Sequence, residues 1–272
     1  MAILSDYHIH SHFSGDSEAQ MSDIIETAIA RGMKSICFTE HMDMNFTYVK
    51  PEEEGMFDLS TDEYLYDLLR TKAKYNDQIE VYFGVEIGIQ ADLPRQLAAY
   101  VRSHEFDFVI GSVHLVNKMD PYYPAYFEGK TDEEAYREFF EEVYKNIKAY
   151  SNFDVLGHLD YIVRYGQSKD KDYCYDKYKD IIDKILTLIL EKERGIEINT
   201  AGLSKGLKST NPCKEIIKRY HELGGEVITV GSDAHIAENV AKDFDVAAEI
   251  LKECGFTHYT VFENRIPIFK KI

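Results

Sequence analysis

Seven short runs of aliphatic and β-branched residues recur along the chain, each followed by a longer stretch whose apolar positions step by three and four. The runs predict strands over Ile3–His8, Ser35–Thr39, Val81–Ile87, Phe106–Val113, Phe153–His158, Gly195–Asn199 and Glu226–Gly231. Helices are predicted between them. Ala135, Phe139, Phe140, Val143, Tyr144 and Ile147 form one apolar face after Thr131, and Ile181, Ile182, Ile185, Leu186, Leu188 and Ile189 form another before Gly195. Thr131 with Glu134, and Ser60 with Glu63, have the spacing of capping boxes, the second opening a helix from Thr61 to about Tyr75. No linker-like composition breaks this β/α alternation, so residues 1–272 are expected to form a single α/β domain around a parallel sheet. Seven units suit a closed TIM-like (β/α)7 barrel. An open doubly wound sheet is the alternative, but no G-x-G-x-x-G or G-x-x-x-x-G-K-[ST] loop follows any strand.

Composition narrows the partners. The chain of 272 residues is 44% hydrophobic, carries a formal net charge of −17 and has no block of basic residues. A nucleic acid backbone would meet a repelling field, so the expectation is a small substrate, one that carries positive charge. Cys37, Cys174, Cys213 and Cys254 are scattered without C-x-x-C spacing, which argues against a thiolate zinc site and a disulfide framework. No uninterrupted apolar run approaches 18 residues and the start lacks signal-peptide character, so no membrane association and a cytoplasmic location are expected.

The ends of the predicted strands carry the chemistry, as a TIM-like barrel requires. His8 and His10, two apart on a strand, point to one side with Cα atoms roughly 6.5 to 7 Å apart, so both reach a single ion. The second run leads into Glu40-His41. The third holds Glu86 inside Gly84-Val85-Glu86-Ile87-Gly88, where an unpaired carboxylate is costly. The fourth, fifth and seventh end at His114, His158 and Ser232-Asp233-Ala234-His235, and only the sixth ends in a neutral amide, Asn199. Taken singly, a histidine at a strand end is commonly a hydrogen-bonded structural residue, and Asp233 with His235 fits a capped turn. Imidazole or carboxylate at six of seven ends is instead the ligand chemistry of zinc, manganese or iron.

The order His8-Ile9-His10, Asp16, Thr39-Glu40-His41, a lone Glu86, His114 after Ser112-Val113, His158 after Leu156-Gly157, and Ser232-Asp233-Ala234-His235 resembles the polymerase and histidinol phosphatase (PHP) superfamily. The likeness covers essentially the whole chain and is greatest to the stand-alone histidinol-phosphatases. It implies the PHP fold, a distorted seven-stranded (β/α) barrel, with three divalent ions (Zn, Mn or Fe) at its mouth. Carried over position by position, it implies a first ion on His8, His10, Glu86 and Asp233, a second on Glu86, His114 and His158, and a third on Asp16, His41 and His235. Some members have histidine where this chain has Asp16. The reaction implied is hydrolysis of L-histidinol phosphate to L-histidinol and phosphate by water activated between two ions, with no Ser or Cys nucleophile.

Arg164 matches an arginine that the family uses on phosphate, and its local alternative is a pair with Asp160. Lys205 and Lys208 are candidates for further phosphate contacts. The leaving alkoxide needs a general acid, for which Asp160 and an ion-held water beside His41 are the candidates. Glu40, Asp43 and Asp160 would complement a cationic substrate, and the insertions Asn45 to Gly55 and Pro121 to Phe127 have the aromatic content of a lid. Superfamily members that act on nucleotides or phosphotyrosine share the ligands. An amidohydrolase-like enzyme shares the first His-x-His but commonly bridges its ions through a modified lysine, where this chain has Glu86. His12 falls after the strand, where it supports the ligands, contacts substrate or is structural. His104, His221 and His258, in or after helices, are expected to be dispensable for catalysis.

Overall fold

The computed structural model describes residues 2–272. Seven parallel strands hydrogen-bond in chain order: β1 (Ser5–Ile9), β2 (Ser35–Met42), β3 (Glu80–Gly88), β4 (Phe108–Ser112), β5 (Val155–Leu156), β6 (Gly195–Asn199) and β7 (Ile228–Gly231). Helices α1 (Met21–Ala30), α2 (Thr61–Lys72), α3 (Pro94–Ser103), α4 (Asp132–Ala149), α5 (Tyr175–Glu191), α6 (Ala201–Ser204), α7 (Lys214–Glu222) and α8 (Phe244–Glu253) fill the connections. Every position of β1, β4, β6 and β7 is buried, which is why these strands read as continuous apolar runs rather than as alternation. The predicted α/β class and (β/α)7 architecture are what the chain adopts.

The barrel closes through a thin seam. Asp233 N donates to His8 O at 2.8 Å and His10 N to Ala234 O at 2.9 Å. Asp6, buried beside it, accepts from Ser232 N at 3.0 Å, Ser232 Oγ at 2.5 Å and Ala241 N at 2.8 Å. This carboxylate does at the seam what strand pairing does elsewhere, and it holds the segment after β7 against β1.

Three local expectations change. β2 runs on to Met42, so Glu40 and His41 lie within the strand and not after it, whereas β5 shrinks to two residues. The Thr131–Glu134 capping box forms, but Ser60 makes no side-chain cap, because its backbone (φ −76°, ψ 79°) does not turn its hydroxyl onto the first turn. Finally, the chain after α8, for which no element is predicted, forms strands, the first opening at His258. β8 (His258–Glu263) and β9 (Ile266–Lys271) form an antiparallel hairpin absent from the predicted elements. It covers the N-terminal end of the barrel: Tyr7 Oη donates to Phe262 O at 2.9 Å, Phe262 stacks on Phe108 at 5.1 Å, and Arg265 Nε bonds the Asp154 carboxylate.

Candidate active site

At the opposite end, the strands deliver their polar residues into one volume. Glu86, fully buried on β3, is the hub. Its Oε2 lies 3.2 Å from His8 Nε2 and 3.5 Å from His10 Nε2, and its Oε1 lies 2.9 Å from His158 Nε2 and 3.3 Å from His114 Nε2. Asp233 Oδ1 stands 3.5 Å from His10 Nε2 and 3.8 Å from His8 Nε2. Asp233 takes φ +52°, a left-handed conformation that aspartate tolerates better than most residues, just past β7. Toward the rim, Asp16 Oδ2 is 3.0 Å from His235 Nε2 and 3.7 Å from His41 Nε2. All nine residues anticipated as ligands are therefore brought together.

These spacings fit metal ions. Donors held at roughly 2.0–2.1 Å from a tetrahedral ion lie roughly 3.3–3.5 Å from one another. His8 Nε2, His10 Nε2, His41 Nδ1, Asp43 Oδ2 and Glu86 Oε2 are buried without a hydrogen-bond partner, although all point into the same cluster. Buried polar atoms are rarely left so. The donor set is a divalent-metal site.

A second layer fixes which nitrogen faces the ions. Glu197 Oε1 accepts from His8 Nδ1 at 2.6 Å, and Asp43 Oδ1 from His114 Nδ1 at 2.7 Å. Ser14 donates its hydroxyl to Glu40 at 2.6 Å, so its oxygen accepts from His10 Nδ1 at 3.1 Å and from His41 N at 3.0 Å. With Nδ1 carrying the proton, each of these three imidazoles presents the lone pair of Nε2. Glycines make room for this layer, since a Cβ on Gly88 would overlap the Asp43 carboxylate and one on Gly231 would overlap His8 and Glu197. Glu197 was missed as a functional residue although it announces itself as Glu86 does, as a carboxylate inside an apolar strand.

Charge is balanced within the cluster. Burial opposes the ionised forms throughout, yet Glu197, Glu86 and Asp233 raise the pKa of His8 well above the usual imidazole range, and Asp16 with Glu86 raise that of His41 to about 9. In turn, His8 and His114 outweigh burial and hold Glu86 well below the usual carboxylate range. His10, buried beside His41 and His235, is pushed down.

Next to the cluster lies a cavity of about 390 Å³, reached by Asp16, His41, His114, His158, Arg164 and Asp233 from the cluster side. Arg164 is not paired with Asp160. Its Nη1 donates to Asp233 Oδ2 at 2.9 Å. Lys205 reaches the cavity; Lys208 is not among its lining residues. Both insertions after β2 and β4 line it too, with Phe46 and Tyr48 from one and Tyr122 and Tyr123 from the other, and Phe57, just beyond the first, beside them. They are tied together by Tyr123 Oη and the Glu53 carboxylate.

The acidic residues facing the cavity are only in part those expected. Glu40 is buried and spent on Ser11 and Ser14, whereas Asp43 does line the cavity, with one oxygen engaged by His114 Nδ1. Asp160, 1% exposed, accepts from Asn211 Nδ2, Cys213 N and Tyr173 Oη, and does not line the cavity, which removes it as the acid for a leaving group. Glu53 and Asp120 join Asp43 on the lining. Burial pushes the Asp120 carboxyl up to about 6 against a single hydrogen bond from Tyr122 N, so a cation beside it would be favoured. His12 is exposed against Phe13, and His104, His221 and His258 lie outside the cluster.

Comparison with known proteins agrees with this geometry. Residues 6–201 match the PHP domain. The histidinol-phosphatase of Lactococcus lactis is 35% identical over 261 residues, 95% of this chain and 94% of that protein, and a probable histidinol-phosphatase of Clostridium acetobutylicum is 32% identical, with 96% and 97% covered. A crystal structure of the L. lactis histidinol phosphate phosphatase, complexed with zinc, L-histidinol and phosphate, superposes with a TM-score of 0.88 at 32% identity, covering 98% of this chain and 99% of that one. The chain belongs to the PHP domain family, in the company of its histidinol-phosphatases.

Proposed function

We propose that this chain, one domain over residues 1–272, is a metal-dependent phosphatase that converts L-histidinol phosphate and water to L-histidinol and phosphate. The observation that carries the reading is the convergence of nine ligand-type side chains, with buried unpartnered atoms, at one end of a cavity whose other end is aromatic and acidic. The name and bound molecules of the 35% identical L. lactis relative support it. The assignment is three ions, zinc, manganese or iron: one on His8, His10, Glu86 and Asp233, one on Glu86, His114 and His158, and one on Asp16, His41 and His235. Bound there, divalent ions supply positive charge to the phosphoryl oxygens and acidify water.

The protein's own groups do the rest. Arg164 faces the cavity from beside Asp233 with N–H groups to spare, placed to grip a phosphoryl oxygen pair. Glu53 and Asp120 complement the ammonium of the substrate, and the aromatic rings of the two insertions flank its imidazole. No helix among the described residues is long and apolar enough to cross a membrane.

The test is phosphate release by the metal-loaded protein from histidinol phosphate, nucleoside monophosphates, phosphotyrosine and a plain aryl phosphate. A clear preference in kcat/KM for histidinol phosphate is expected. Equal or better turnover of a nucleotide or phosphotyrosine would overturn the substrate assignment, and no turnover of any ester would overturn the hydrolase.

A further inference from the structure

Arg164 sits at the end of a short 3-10 turn after β5, its side chain only 3% exposed, and three of its five N–H groups are already engaged. Nε donates to Asn211 Oδ1 at 2.8 Å, Nη2 to Asn199 Oδ1 at 2.9 Å and Nη1 to Asp233 Oδ2 at 2.9 Å. One N–H remains on each terminal nitrogen, and these two are the pair a phosphoryl group would accept from. The direction of that pair is set by what holds Nε.

Asn211 is 1% exposed and its backbone is clamped to Asn199 in both directions, at 2.8 and 2.9 Å. Its Nδ2 donates to Asp160 Oδ1 at 2.6 Å. Asp160 Oδ2 accepts from Cys213 N at 2.9 Å and Tyr173 Oη at 3.1 Å. An ionised carboxylate only accepts and a guanidinium only donates, so the amide between them has one consistent orientation. Gly202 leaves the space it needs, since a Cβ there would lie 2.7 Å from Asn211 Oδ1.

We propose that Asp160 and Asn211 are positioning residues, a relay that fixes the Arg164 guanidinium for phosphate. Asp160 thus acts through Asn211 on Arg164 rather than on the substrate. The inference rests on Arg164 facing the phosphoryl group. Replacing Asp160 with asparagine keeps its shape but breaks the polarity: an amide at 160 meets Cys213 N–H with its own donor, or else turns and forces Asn211 to present Nδ2 to Arg164.

The experiment is inhibition by inorganic phosphate, with bound metal counted on the same samples, for wild type, Asn211→Ala, Asp160→Asn, Arg164→Ala and the Arg164→Ala/Asn211→Ala double variant. Either single relay variant should raise the phosphate Ki roughly 10-fold with unchanged metal content. Added to Arg164→Ala, Asn211→Ala should raise it no further. If Asn211→Ala does not fold, Asp160→Asn carries the test alone. A lower thermal stability with phosphate Ki unchanged, or effects that add fully in the double variant, would overturn the relay. An Arg164→Ala protein with normal phosphate inhibition would instead overturn the role of Arg164 itself.

Discussion

The two ends of the barrel are built from the same strands and finished in opposite ways. At the N-terminal end, polar groups find protein partners. Asp107 accepts from Phe83 N and Asn264 N, Asp154 from Val109 N and Arg265 Nε, and the β8–β9 hairpin covers what remains. Among the described residues, seven buried side-chain nitrogen or oxygen atoms lack a partner; five of them belong to the cluster at the mouth and only Arg194 Nε lies near the covered end. One end is completed by its own chain, and the other is complete only with ions. Stability and chemistry are thereby separated along the barrel axis, as the architecture favours.

The sharpest way to break the contrast is to take the ions away. Chelation should lower histidinol phosphate turnover by at least roughly 10³-fold, with recovery on adding zinc, manganese or iron, while far-UV circular dichroism keeps the barrel signal. Full activity after metal depletion, measured by elemental analysis, would erase the distinction. The second layer is next. Glu197→Gln or Asp43→Asn should cost roughly 10- to 100-fold in metal affinity or kcat/KM, because a neutral amide replaces the charged acceptor that holds the Nδ1 proton of His8 or His114.

The mouth should also respond to pH in a way the covered end does not. Without ions, His41 stays protonated up to about 9. A raised imidazole pKa stabilises the fold fully below the unfolded value of roughly 6.5 and loses that contribution as pH rises through about 9. Ions need the neutral ring, so their affinity runs the other way. The gain in melting temperature on metal loading should therefore grow between about pH 6 and about pH 9, and a gain that shrinks would contradict the assignment. The smallest effect on catalysis belongs to the covered end. Arg265→Ala should lower stability by roughly 1–3 kcal/mol by leaving Asp154 short of a partner, with kcat per folded molecule unchanged.

Much of this was legible in the sequence for a physical reason. Strands buried on both faces read as apolar runs, and polar residues that interrupt or end such runs stand out, which exposed Glu86, His114, His158 and Asp233. The β8–β9 hairpin escaped because Tyr259 to Phe262 are buried on both sides against the barrel end, which blunts the alternation a hairpin usually shows, and its turn is Asn264-Arg265 rather than a glycine turn. Ser14, Asn211 and Asp120 lie in loops, where nothing local marks a residue as the partner of a distant imidazole, arginine or substrate. Asp160 is a candidate acid by residue type alone, but the chain turns it away into the Asn211 and Tyr173 network.

In the proposed assignment Glu86 joins two ion sites while the rim site stands without it. Metal ions per chain, counted by elemental analysis in wild type and Glu86→Gln on the samples assayed for phosphate release, test it most directly. Three ions in the active wild type and no more than one in an inactive variant is the predicted result. A variant that keeps all its ions and its turnover would rule out Glu86 as the bridge.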